Sequence, residues 1–160
     1  MALKFVPFWA LTSILSFGEI NSLYSHMKVE YQSQIAKYWN MSHKFLGSAL
    51  DIMRMFRNAC AHNEIVYNYK TVGFHLRAKE ITHLYTHFNI PFIKEKNKFE
   101  KGTNDLLALA FIFKTMLPKN QFKEFIDQYK SILNKLNSRT LARIINTLTV
   151  PKDIETIKSL

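Results

Sequence analysis

The sequence predicts an all-α fold, and three observations carry that expectation. Apolar residues recur at spacings of three and four over most of the chain, the pattern of helices that each bury one face. Gly and Pro number four each in 160 residues, few for the turns of a β-sandwich. No pair of alternating apolar stretches reads as a strand pair, and no internal repeat is visible. With Phe (13) and Tyr (7) prominent, the chain can bury a real core, so it reads as one domain over residues 1–160.

The elements follow in order. Phe5 to Phe17 (FVPFWALTSILSF) reads as a buried helix started by Pro7 and stopped by Gly18. Only Lys4 precedes the run and no small-x-small cleavage site follows it, so it is not read as a signal peptide. It is also short of the roughly 20 apolar residues that span a bilayer. Glu19 to Met27 and Glu30 to Trp39 read as short helices, and Asn40 to Ser42 as a break in which Ser42 is a good N-cap. From His43, Phe45, Leu46, Ala49, Ile52, Met53, Phe56, Ala59 and Cys60 form one stripe lasting about five turns. Cys60, the only cysteine, is thereby expected in the core, and its solitude fits a reducing, cytoplasmic setting.

After Asn63 the periodicity weakens. One short helix is expected at about Arg77 to Phe88, and Ile93 to Asn104 as an exposed, charged loop. Asp105 to Leu117 is strongly apolar and stops at Pro118. Gln121 to Leu136 is amphipathic; Ser138 can cap a further helix to Leu148, and Pro151 precedes a short tail helix. Trp9 and Trp39 are expected in the core.

Lys plus Arg (22) exceed Asp plus Glu (12), giving a net charge of +10 that suits a polyanionic partner, above all nucleic acid. Arg54, the loop cations Lys94, Lys96 and Lys98 with Phe99 among them, and Arg139 and Arg143 on a late helix face are candidate RNA contacts. His75, His83 and His87 lack the carboxylate or thiolate neighbours of a metal shell and read as solvent-facing. A Walker loop, a GxGxxG turn and a Ser nucleophile elbow are all absent from the sequence.

The most informative stretch is Arg57 to Asn68, RNACAHNEIVYN, at the polar end of the long apolar stripe. Positions five apart on a helix are rotated by about 140° and displaced by about 7.5 Å, so Arg57 and His62 do not share a face, whereas Asn58 and His62 do. Either the helix ends or distorts near His62, or these groups converge with those of a second subunit across a two-fold axis. A histidine can take the proton of an RNA 2′-hydroxyl or protonate the 5′-oxygen leaving group. A guanidinium can hold the phosphate, and Asn58 can orient the imidazole or contact the backbone. That chemistry calls for no metal and no cofactor.

RNACAHNEIVYN resembles the signature of the Abi-like abortive-infection proteins (the Abi D/F group) of the HEPN superfamily, typically RN-x-CAH followed by an aromatic residue and an asparagine. Upstream, PFWALTSILSFGEINSLYSHMK (Pro7 to Lys28) is similar to that family's P-x-W…SFG…LY segment, and LLALAFIFKTMLPKNQFKEF (Leu106 to Phe125) is a weaker third similarity. The resemblance spans roughly Pro7 to Leu136. It implies a HEPN-like helical bundle whose long central helix carries the RxxxxH motif near its C-terminal end. It further implies a homodimer with a composite site, and metal-independent endoribonuclease activity of a toxin in anti-phage defence.

Arg57 and His62 would then be catalytic, with Asn58 the polar residue of the motif. Tyr67 and Asn68 match the aromatic–asparagine end, in a role expected to be structural. An RNA or protein antitoxin is an implied partner, and a membrane is not. The rival reading keeps the scaffold as a non-catalytic RNA-binding or regulatory module for a small RNA or guide. Family members usually carry another helical region before the P-x-W block, so the chain is expected to be short of that region. His62-Asn63-Glu64 also departs from the basic residues usual after CAH, which bears on phosphate binding.

Overall fold

A computed structural model describes residues 13–137 and 140. Ser16 opens the first described helix, α1 (Phe17–His26), through a capping box: the Glu19 amide donates to Ser16 Oγ (3.3 Å) and the Ser16 amide to the Glu19 carboxylate (2.7 Å). Those bonds hold the Glu19 carboxyl below the usual carboxylate range. Next come α2 (Val29–Lys37) and the long α3 (His43–Ala61), followed by a 3₁₀ turn at Val66–Asn68. A second 3₁₀ turn (Ala78–Ile81) leads into the short α4 (Thr82–His87). A two-residue hairpin of β1 (Phe92–Ile93) and β2 (Lys98–Phe99) precedes α5 (Leu106–Met116) and α6 (Lys119–Lys135).

The expected N-cap of α3 is present: Ser42 Oγ accepts the Phe45 amide at 3.1 Å and also donates to the Glu80 carboxylate, tying the helix start to the second 3₁₀ turn. Helices α1, α2 and α5 all pack on α3. Phe45, Leu46, Ala49, Ile52, Phe56 and Ala59 are buried along it, facing Leu107, Ala108 and Phe111 of α5 and Ile126 of α6 in one core. The all-α expectation and the α3 stripe therefore hold.

Cys60 departs from the expectation, for it is exposed rather than buried. In the last turn of α3 only Ala59 is buried, because the core narrows there to Phe56 and the Tyr69 ring that packs edge-on against it at 5.1 Å. The absence of a strand pair is likewise corrected. Phe92–Ile93 pairs antiparallel with Lys98–Phe99, closed by the left-handed Asn97 (φ 49°). Burial drives that pairing: Phe99 stacks on the buried Tyr85 ring at 3.8 Å, and Phe92 meets Phe99 edge-on at 5.2 Å. Strands of two residues have no periodicity for a sequence to display.

Asparagine ends α2, α3 and α4. Asn40, Asn63 and Asn89 all take positive φ (56°, 55° and 50°), the left-handed conformation usually given to glycine. After each, an amide reaches back to a carbonyl five residues earlier: Met41 to Ala36, Glu64 to Ala59 and Ile90 to Tyr85.

The start of α5 is a buried polar knot. Asp105, 1% exposed, caps the helix by accepting the Ala108 amide (3.1 Å) and also takes the Gly102 amide on both oxygens (3.1 and 2.9 Å). Tyr85 donates its hydroxyl to the Gly102 carbonyl, and burial, with the Asp105 charge second, pushes that phenol far above its ordinary range. The stop expected at Gly18 is corrected: the first helix gives way at Leu15, and Phe17 and Gly18 already belong to α1, which Ser16 caps. The part of that helix with Pro7 and Trp9, most of the helix expected from Ser138 to Leu148 and the tail helix after Pro151 lie outside the described residues.

Candidate functional site

The C-terminal end of α3 carries the motif. The preceding four turns are anchored by buried Phe45, Leu46, Ala49, Ile52 and Phe56, so the backbone that presents Arg57 and Asn58 is fixed from one side. Ala61 is the last helical residue and His62 is the cap (φ −98°, ψ 12°), its amide donating to the Asn58 carbonyl at 3.0 Å. Asn63 then turns left-handed; its amide donates to Cys60 (3.2 Å) and the Glu64 amide to Ala59 (2.9 Å), a Schellman closure. Asn63 is thus the residue that stops the helix at the histidine.

Of the two geometries left open by the sequence, the helix does end at His62. Arg57 and His62 are both exposed, and Asn58 is half-buried. The Arg57 guanidinium donates to Asn58 Oδ1 at 3.3 Å, which draws its charge toward the face that Asn58 shares with His62. Cys60 and Ile65 (59% exposed) place apolar surface beside these polar groups.

The other motif residues behave differently. Tyr67 and Asn68 sit in the 3₁₀ turn and are exposed. The packing expected of them is performed by their neighbours Val66 and Tyr69, both set against the core. Which residues of so short a turn meet the core is decided by the elements packed around it, which the motif alone does not reveal.

The candidate RNA contacts divide into three groups. Arg54 is half-buried, lies 4.0 Å from Asp51 and covers the Phe74 ring at 5.3 Å, so it already has partners. Lys94 and Lys96 are exposed on the hairpin turn, whereas Lys98 is half-buried beside His75. Phe99 is committed to Tyr85 and is not free to stack a base. Arg139 and Arg143 lie outside the described residues. His83 and His87 are exposed on α4, and among the described residues no group of three His, Cys, Asp or Glu side chains is arranged to hold a metal ion.

No described helix is long and apolar enough to cross a membrane. Residues 1–68 match the family model described as Abi-like protein. The match contains both stronger blocks, Pro7 to Lys28 and Arg57 to Asn68, and stops before the weaker similarity at Leu106 to Phe125. No curated protein and no solved structure matches the chain.

Proposed function

Starting from an Abi-like chain over its first 68 residues, we propose that this protein is a metal-independent endoribonuclease of the HEPN type, acting in abortive infection. The observation that carries the reading is the end of α3, where Arg57 bonds to Asn58 and His62 caps a helix stop fixed by Asn63. Arg57 and His62 point about 140° apart on one helix, so a single site would be completed by a second copy of the chain. Exposed Cys60 and Ile65 supply apolar surface for that contact.

In such a site one His62 takes the 2′-hydroxyl proton as the 2′-oxygen attacks phosphorus. The bond from phosphorus to the 5′-oxygen breaks, and His62 of the second copy delivers a proton to that oxygen. Arg57 neutralises the charge gathering on the non-bridging oxygens. The products are a 2′,3′-cyclic phosphate and a 5′-hydroxyl. A controlling RNA or protein antitoxin would act by covering this surface.

The test is RNA cleavage in EDTA by the wild-type protein and by Arg57→Ala and His62→Ala. The reading expects cleavage that survives EDTA and is lost in both variants. Mixing the two inactive variants should not restore cleavage, because every mixed dimer keeps only one of the two histidines that the shared site uses. RNA binding without cleavage over several sequences would refute the enzyme and leave a non-catalytic RNA-binding module.

A further inference from the structure

An open groove of about 960 Å³ lies between the first half of α3 and the segment 73–79, with the hairpin forming its far wall. Lys44, Arg77, Lys79 and Lys98 line it, together with His75. The one carboxylate in the lining, Asp51, is already engaged: it accepts from Asn21 Nδ2 at 2.9 Å and lies 4.0 Å from Arg54. Four cations thus face a single partnered anion, a strong local excess within a basic protein.

The walls are held in place before any ligand arrives. The Arg77 amide donates to Ser48 Oγ on α3 (3.0 Å), and the Leu76 amide donates to the Thr103 carbonyl (2.6 Å). Phe92, 49% exposed, stands at the rim with its ring braced edge-on by Phe99. A braced, half-exposed aromatic ring beside a row of cations is the pairing that binds unpaired bases and their phosphates.

The groove also points somewhere. Lys44, Ser48 and Asp51 line it from α3, and on that helix Asn58 and His62 fall on the same face, within about 40° of Lys44. From Asp51 to Asn58 the rise is about 10 Å, a few nucleotides of an extended strand. We infer that this groove is the binding track for single-stranded RNA, gripping the phosphates on one side of the scissile position and leading the strand along α3 to His62. The inference rests on the ribonuclease reading for its direction and stands on the groove's own residues for binding.

The experiment measures anisotropy of a labelled 2′-O-methyl oligoribonucleotide, which lacks the attacking hydroxyl and cannot be cleaved by this chemistry. Arg77→Glu with Lys79→Glu should weaken binding at least about tenfold and flatten the salt dependence by roughly 0.7 per lost phosphate contact. Lys44→Glu, on the opposite wall, should act in the same direction if the groove is the track. Phe92→Ala should weaken the single strand by roughly fivefold or more and leave a duplex unaffected. Lys135→Glu on α6 serves as the net-charge control for Lys44→Glu, and Lys123→Glu with Lys135→Glu as that for the double variant.

Groove variants that bind like the α6 controls of equal charge would overturn the inference, as would a duplex bound as tightly as the single strand. Unmodified RNA separates the two readings. Wild-type cleavage with binding undisturbed in the groove variants refutes the groove alone. Binding lost in those variants while the wild type cleaves nothing refutes the nuclease alone.

Discussion

The two ends of the core use polar groups in opposite ways. At the start of α5, Asp105 is buried and its carboxylate takes the amides of Gly102 and Ala108, while Tyr85 closes on the Gly102 carbonyl. At the end of α3, Arg57 and His62 face solvent, and among the described residues the guanidinium makes one hydrogen bond, to Asn58 at 3.3 Å. Buried polar groups that satisfy one another fix a fold, and leaving one unpaired costs about 1–3 kcal/mol. Exposed polar groups contribute little to stability and stay available for a ligand. The contrast separates the part of the molecule that holds its shape from the part offered for chemistry.

The sharpest way to break that contrast is at the motif. Arg57→Ala or His62→Ala should lower RNA cleavage by roughly 10²–10⁴-fold, the usual worth of an acid–base group. Thermal unfolding should stay within about 0.5 kcal/mol of wild type, since both side chains are exposed. An inactive variant that also melts early would mean that these residues hold structure instead.

Gly102→Ala should do the reverse. A Cβ there would meet Phe111 at 3.0 Å, Tyr85 at 3.1 Å and Leu107 at 3.3 Å, on a backbone at φ +78°. A loss on the order of 2–4 kcal/mol and a melting temperature lower by several degrees should follow, with the activity of the folded fraction retained. An unchanged melting curve would remove the knot from the comparison.

Asn63→Val joins the two sides. A β-branched residue resists positive φ, so the helix stop should cost about 1 kcal/mol. Cleavage should also fall as His62 loses its position. Asn63→Gly should preserve both. Cleavage unaffected by the valine would uncouple the helix stop from the site.

The smallest effect concerns His75. Burial first and the Lys98 charge second hold its imidazole below the ordinary value of 6.5. The unfolded chain therefore binds that proton more readily than the folded one. Its contribution to stability is complete above 6.5 and is lost as pH falls through the lower folded value. Lys98→Gln removes only the second cause, so an NMR titration should show the His75 pKa moving part of the way back. A pKa that stays put would deny the closeness of the two groups in the groove.

Much of this was open to reading along the chain. Helices repeat their burial every three or four residues, so the α3 stripe, the Ser42 cap and the stop at Asn89 are written locally. The motif was legible for the same reason, since Arg57, Asn58 and His62 lie on one element and their spacing fixes their relative rotation. Cys60 shows the limit: a position on the stripe is buried only where a neighbouring element covers it, and at the last turn of α3 the core narrows to Phe56 and Tyr69.

What the sequence determined by itself is the helical class, the central helix and the polar cluster at its end, because each follows from contacts a few residues apart. Tertiary structure alone decided the rest. The hairpin exists because Phe99 finds Tyr85, and the basic groove because Lys44, Arg77 and Lys98, far apart in the chain, are brought to one place. No local periodicity records such meetings; they are set by which surfaces the core leaves adjacent when it closes.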